Sequence, residues 1–187
     1  DLHPSPFGHQ LYFRSIKRLF QAAWNAPLGE SDVVAPYPLP AEPLDPKSYF
    51  RGRLVDVTEA KLEPGWTVIP SWHPADNAGT RPGFVDVPAL VGETPGPSLR
   101  LRFDGTAIGI LVVAGPDAGR VRYSVDEAPM SEQELFTPWS PGLHLPWAVV
   151  LNAELEPGSH ELALQVASDK DPSSVGHAVR IIDILGH

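Results

Sequence analysis

The chain has 187 residues, with 23 acidic side chains against 14 lysines and arginines, a formal net charge of −9 and a sequence pI near 5.1. That balance, without a long basic cluster, argues against a phosphate-backbone partner, and no apolar run approaches the roughly 18 residues of a membrane-spanning helix. Zero cysteines exclude disulfides, thiolate catalysis and cysteine-ligated zinc, while 22 prolines and 16 glycines announce many turns.

The first predicted element is a helix. Ser5 is placed to cap it, Pro6 suits the first helical position, and the pattern runs through Trp24 to a stop at Pro27. Tyr12, Ile16, Leu19, Phe20 and Ala23 recur on one face, with Arg14, Lys17 and Arg18 largely on another. An amphipathic helix of this length draws most of its stability from packing on a larger body. Residues 26–48 then read as a proline-rich linker built around Pro36, Pro38, Pro40, Pro43 and Pro46.

Beyond the linker the period changes to two. Strands are predicted near 50–57, 66–69, 84–87, 99–103, 107–113, 121–125, 147–151, 161–166 and 178–185, separated by turns such as Gly115–Gly119 and Glu156–Ser159. Short strands at this spacing predict a mainly β fold for residues 49–187, an antiparallel sandwich or jelly roll. The stretch Gly105–Ala114 is apolar almost throughout and is expected to be a central strand covered on both sides.

The residues with chemical promise begin at Asp1-Leu2-His3-Pro4-Ser5-Pro6-Phe7-Gly8-His9. A histidine on a loop just before a helix can be held toward a cleft as a general base, and a neighbouring carboxylate can orient its ring. The same imidazole can equally be a surface histidine at a helix start. Trp66, Trp72, His73, Trp139, His144 and Trp147 fall in or beside expected turns. Aromatic faces there can stack on sugar rings, although tryptophans also fill sandwich cores. Of these, Trp72, Trp139, His144 and Trp147 are the candidate substrate contacts, with His144 and Trp147 framed by the Pro138–Gly142 loop. Asp76, Asp86, Asp104 and Asp117 lack the spacing of a calcium loop and are expected to serve turns, so no metal site is assigned.

The opening stretch resembles the last conserved block of SGNH/GDSL hydrolases, Asp-x-x-His-Pro followed by a helix with an early Gly-His. The phrases Arg81–Val85, Phe103–Gly109, Ala114–Gly119 and Leu143–Trp147 resemble the jelly-roll domain attached to some bacterial SGNH esterases. The resemblance implies that residues 1–25 are the final loop and helix of an α/β/α hydrolase domain. His3 would then be the catalytic base, and the orienting carboxylate either Asp1, one residue closer than the family spacing, or an aspartate preceding it. No Gly-Asp-Ser nucleophile block occurs in the sequence, so the serine is expected on a missing N-terminal segment or a companion chain, and this piece alone is expected to be inactive. The implied activity is removal of acyl groups, often acetyl, from carbohydrate, without a cofactor, in a secreted or periplasmic protein. The alternative is a noncatalytic carbohydrate-binding or structural sandwich.

Overall fold

A computed structural model describes residues 3–27, 38–43, 45 and 48–187. Backbone contacts divide the chain into two compact units, Asp1–Ala41 and Glu42–His187. Asp1 and much of the proline-rich stretch lie outside the described residues.

The first unit carries one helix, α1 (Pro6–Asn25). Its start follows from local chemistry: Ser5 Oγ accepts the Gly8 amide at 3.2 Å, and Pro6 occupies a position whose N–H would have no intrahelical acceptor. None of its residues is buried, and Phe7, Tyr12, Phe13, Leu19 and Trp24 are all more than half exposed.

The second unit is an antiparallel β-sandwich, with eleven strands among the described residues. They are β1 (Arg53–Val55), β2 (Lys61–Leu62), β3 (Trp66–Trp72), β4 (Val87–Gly92), β5 (Ser98–Gly105) and β6 (Ile108–Ala114), then β7 (Arg120–Val125), β8 (Ser131–Glu134), β9 (Leu145–Asn152), β10 (Gly158–Val166) and β11 (Val179–Gly186). One sheet runs β3-β4-β11-β6-β9, with β1 also paired to β11; the other runs β2-β5-β10-β7-β8. In β5 and β10 alternate residues turn inward: Leu99, Leu101 and Phe103 on one, Leu162, Leu164 and Val166 on the other. Each such side chain contributes about 1.5–3 kcal/mol on burial.

Strand β6 is buried along nearly its whole length, as its continuous apolar run requires. Ile110 and Val112 join the core between the sheets, whereas Val113 joins a smaller cluster with Trp72, Ala89 and Val91. That smaller cluster covers the outer face of the six-stranded sheet, because successive side chains on a strand point to opposite faces.

Three expectations need correction. The strand expected at 84–87 begins only at Val87, because Arg81–Phe84 closes a turn (Phe84 N to Arg81 O, 3.2 Å) and Asp86 adopts a left-handed φ of 58°. The strand expected at 50–57 shrinks to Arg53–Val55, since Asp56 caps a short 3₁₀ turn at Val57–Glu59 by accepting the Thr58 amide at 2.8 Å. Two edge strands, β2 and β8, were not anticipated. Ser131-Glu132-Gln133-Glu134 has no apolar alternation because an edge strand can be held by charge: Arg120 and Arg122 of β7 pair with Glu132 and Glu134 across the ladder.

Candidate functional site

The expected site residues separate into three places. His3 is exposed, at a bend just before the Ser5 cap of α1. Trp139 and Trp147 form an exposed pair, and Trp72 and His144 meet in a cavity.

The indole pair is pre-set by the loop that carries it. Ser140, fully buried, donates or accepts toward Thr137 through its hydroxyl (3.1 Å) and accepts the Thr137 amide at 2.9 Å, while Pro138 and Pro141 fix the backbone on either side. Trp139 thereby stands beside Trp147 of β9 with ring centroids 6.0 Å apart and planes inclined by 32°. The rings are 56% and 43% exposed, so two apolar faces remain available to a flat partner. Trp147 is the cross-strand neighbour of Val112, an inward-facing core residue, so it projects from the inner side of an edge strand.

His144 does not accompany it. Its ring is only 1% exposed and meets Trp72, on β3, edge to face at 5.5 Å. The loop bearing Asp76 is tied alongside by Gly79, whose N–H donates to Gly142 O (2.9 Å) and whose carbonyl accepts His144 N (2.7 Å). This brings His144 Nε2 within 3.0 Å of both Asp76 carboxylate oxygens. Burial opposes the Asp76 charge, but the Ala78 amide and His144 outweigh it and hold the carboxyl below its usual range.

Next to this pair lies a second. Arg180 of β11, 6% exposed, donates from Nη1 and Nη2 to the two oxygens of Asp117 at 2.8 and 2.5 Å, and its guanidinium lies 5.1 Å from the centre of the Trp72 ring. Burial again opposes ionisation of Asp117, and the Arg180 hydrogen bonds and charge prevail, lowering its pKa. Trp72, Asp76, Glu93, Asp117, His144 and Arg180 together border a cavity of about 620 Å³. Two buried nitrogens of these side chains, Arg180 Nε and His144 Nδ1, have no hydrogen-bond partner among the described residues.

The Asp76–His144 pair is not half of a hydrolytic triad. An ionised carboxylate only accepts, so Nε2 carries the proton, and the nitrogen left over is Nδ1. That atom is buried against Gly115, where an added Cβ would overlap the imidazole, and it has no hydrogen-bond partner among the described residues. Asp76 keeps the turn bond expected of it, accepting the Ala78 amide at 2.8 Å. Asp117, also expected to serve a turn, instead gives its carboxylate to Arg180. Asp117, Glu93 and Arg180 were not singled out as site residues. The available signal was Arg180 itself, a cation amid the apolar Ala178–Leu185 run, which requires a buried counter-charge. Among the described residues no group of three or more His, Asp or Glu is arranged to hold a metal ion.

No family model and no curated protein matches this sequence. Among solved structures the chain is similar to a two-domain esterase active on acetylated mannans, at 14% identity and a TM-score of 0.57, over 98% of this chain and 47% of that one. A second structure so described, co-crystallised with mannopentaose, gives the same values. A family two carbohydrate esterase from Cellvibrio japonicus matches 72% of this chain and 33% of its own, at 14% identity and a TM-score of 0.42. The chain thus spans about half the length of the two-domain esterase, and the likeness is one of fold: an antiparallel sandwich preceded by a helix.

Proposed function

We propose that this chain is the C-terminal part of a serine esterase of the SGNH/GDSL type that removes acyl groups, chiefly acetyl, from carbohydrate, with His3 as its general base. The observation that carries the reading is the extent of the likeness to the two-domain esterase. A match over 98% of 187 residues leaves out fewer residues than the 20 of α1, so it runs through the helix as well as the sandwich. Independent support comes from α1, whose apolar side chains are exposed along its length and call for a body to pack on. On this reading residues 1–25 close the hydrolase domain, 26–48 connect, and 49–187 form the accessory sandwich.

The serine, outside this chain, attacks the ester carbonyl. His3 accepts its hydroxyl proton as the new C–O bond forms and returns it to the departing sugar oxygen as the tetrahedral intermediate collapses; water then repeats the cycle on the acyl-enzyme. Asp1, or an aspartate before it, orients the imidazole. Trp139, Trp147, Trp72 and His144 are the sandwich residues assigned to the glycan. A secreted or periplasmic location follows from such a substrate.

The test is His3→Ala in the protein that includes the preceding segment, assayed on a small acetyl ester. Loss of the base lowers kcat by about 10³-fold or more; near-normal turnover refutes the assignment. The exposed Trp139–Trp147 pair favours a second reading, a sandwich that binds glycan with no part in catalysis, which that same result would leave standing.

A further inference from the structure

We propose that the cavity between the Asp76–His144 and Asp117–Arg180 pairs is a subsite for an uncharged pyranose unit, read through its hydroxyl groups. The inference rests on the carbohydrate reading above but concerns binding alone, and it assigns a role to Asp76, Glu93, Asp117 and Arg180.

The first argument is that the site is built before any ligand arrives. Four polar groups, three of them ionic, converge on one concavity, and each is held by another part of the fold: Asp76 by the Gly79–Gly142 strap, His144 by Gly115 and Trp72, Arg180 by its strand and the Trp72 ring, Asp117 by Arg180. Rigidly held polar groups on the wall of a pocket are the arrangement that fixes a small ligand's orientation without an ordering cost at binding. If Arg180 served only the fold, Asp117 alone would be a sufficient partner, and the bordering carboxylates would be incidental.

The second argument is unspent hydrogen-bonding capacity. A carboxylate offers about four lone-pair sites. Asp76 spends some on His144 and Ala78 and Asp117 some on Arg180, yet both side chains keep exposed surface, as does Glu93, 3.9 Å from Arg180 Nη2. What such oxygens lack is donors, and sugar hydroxyls are donors.

The third argument is charge. Asp76, Glu93 and Asp117 outnumber the single guanidinium, and the lowered pKa values of Asp76 and Asp117 keep both ionised near neutrality. A uronate or phosphate entering here would meet net repulsion, so the site selects against anionic glycans. A volume of about 620 Å³ lies in the range of small-molecule sites and suits one or two sugar units.

The experiment is calorimetric titration of the whole chain with mannopentaose, xylopentaose and tri-galacturonate, with amide NMR to locate the contact. At least one neutral pentasaccharide is expected to bind, with shifts at Trp72, Asp76 and Asp117, and tri-galacturonate to bind more weakly. Asp76→Asn and Glu93→Gln are each expected to weaken binding about tenfold. Glu93 is largely exposed, so its variant folds whatever becomes of the other. The proposal is overturned if neither neutral sugar binds at about 10 mM, if the uronate binds more tightly, if both variants bind like the parent, or if the shifts fall only at Trp139 and Trp147. Because the titration needs no turnover, its failure leaves the His3→Ala assay intact, and failure of that assay leaves the titration intact.

Discussion

The Asp117–Arg180 pair makes an asymmetric prediction about stability. Arg180 is 6% exposed and donates twice to Asp117, whereas the Asp117 side chain retains 29% of its surface. Asp117→Ala therefore leaves a buried guanidinium, whose Nε already lacks an acceptor, with only the largely exposed Glu93 carboxylate 3.9 Å away, a loss of about 3–5 kcal/mol for a buried charge deprived of its hydrogen-bonded partner. Arg180→Met keeps an unbranched side chain against Trp72 and leaves a carboxylate that water can reach, at a cost of about 1–2 kcal/mol. The double variant has no stranded charge and is expected to recover at least half of the Asp117→Ala loss. In thermal melts followed by circular dichroism, each kcal/mol moves the midpoint by about 2–4 °C in a protein of this size. Asp117→Ala then falls by about 6–20 °C, and Arg180→Met by less than half as much. If Arg180→Met is the more damaging change, or the double variant is simply the sum of the two, Asp117 is not what makes the buried cation tolerable.

Other perturbations follow from local geometry. His160 places Nδ1 2.5 Å from Asp126 Oδ2 and Nε2 2.8 Å from the Glu156 carbonyl, and the Asp126 hydrogen bond above all raises its pKa above 6.5. With a raised folded-state value the stabilisation is complete below pH 6.5 and disappears as pH rises through the folded pKa. His160→Gln is therefore expected to lower the melting temperature near pH 6 and to converge on the parent at alkaline pH; a constant difference across that range contradicts this. Gly115→Ala pushes a methyl into the His144 ring, costing about 1–3 kcal/mol and displacing the His144 resonances in NMR spectra. Leu162→Ala, in the centre of β10 and fully buried, is expected to cost about 2–5 kcal/mol in urea denaturation. A chain beginning at Glu42 is expected to keep the melting temperature of the longer one, since α1 buries none of its residues; a large drop contradicts the separate compactness of the second unit.

What could be read from the sequence tracks how local the determining physics is. Ser5, Pro6 and the apolar spacing were enough for α1, because capping and periodicity act within one turn. The alternation in β5 and β10 and the unbroken apolar run of β6 gave the sandwich, because the pleat maps sequence directly onto the two faces of a sheet. Edge strand β8 escaped notice because its stability comes from Arg120 and Arg122 on the neighbouring strand. The cavity escaped for the same reason on a longer scale. Asp76 and His144 are 68 residues apart, and Asp117 and Arg180 are 63 apart, so no spacing rule joins either pair. The expectation that His144 and Trp147 act together failed to foresee that only Trp147 joins Trp139, while His144 turns into the cavity with Trp72.

That separation bears on how the proposed enzyme would handle a polymer. An exposed indole pair gives apolar area with little directional preference, so it suits retention of a chain by stacking. The cavity gives directional acceptors and a charged donor, so it suits recognition of which hydroxyls are free. Acetylation removes the hydroxyl donors that Asp76, Glu93 and Asp117 would engage. On the proposed reading, a sandwich so equipped would therefore hold bare sugar units and pass over acetylated ones. Partially acetylated and fully deacetylated forms of the same neutral oligosaccharide separate these roles: calorimetry is expected to find the deacetylated form bound more tightly, and equal affinity for both would remove the cavity from the discrimination.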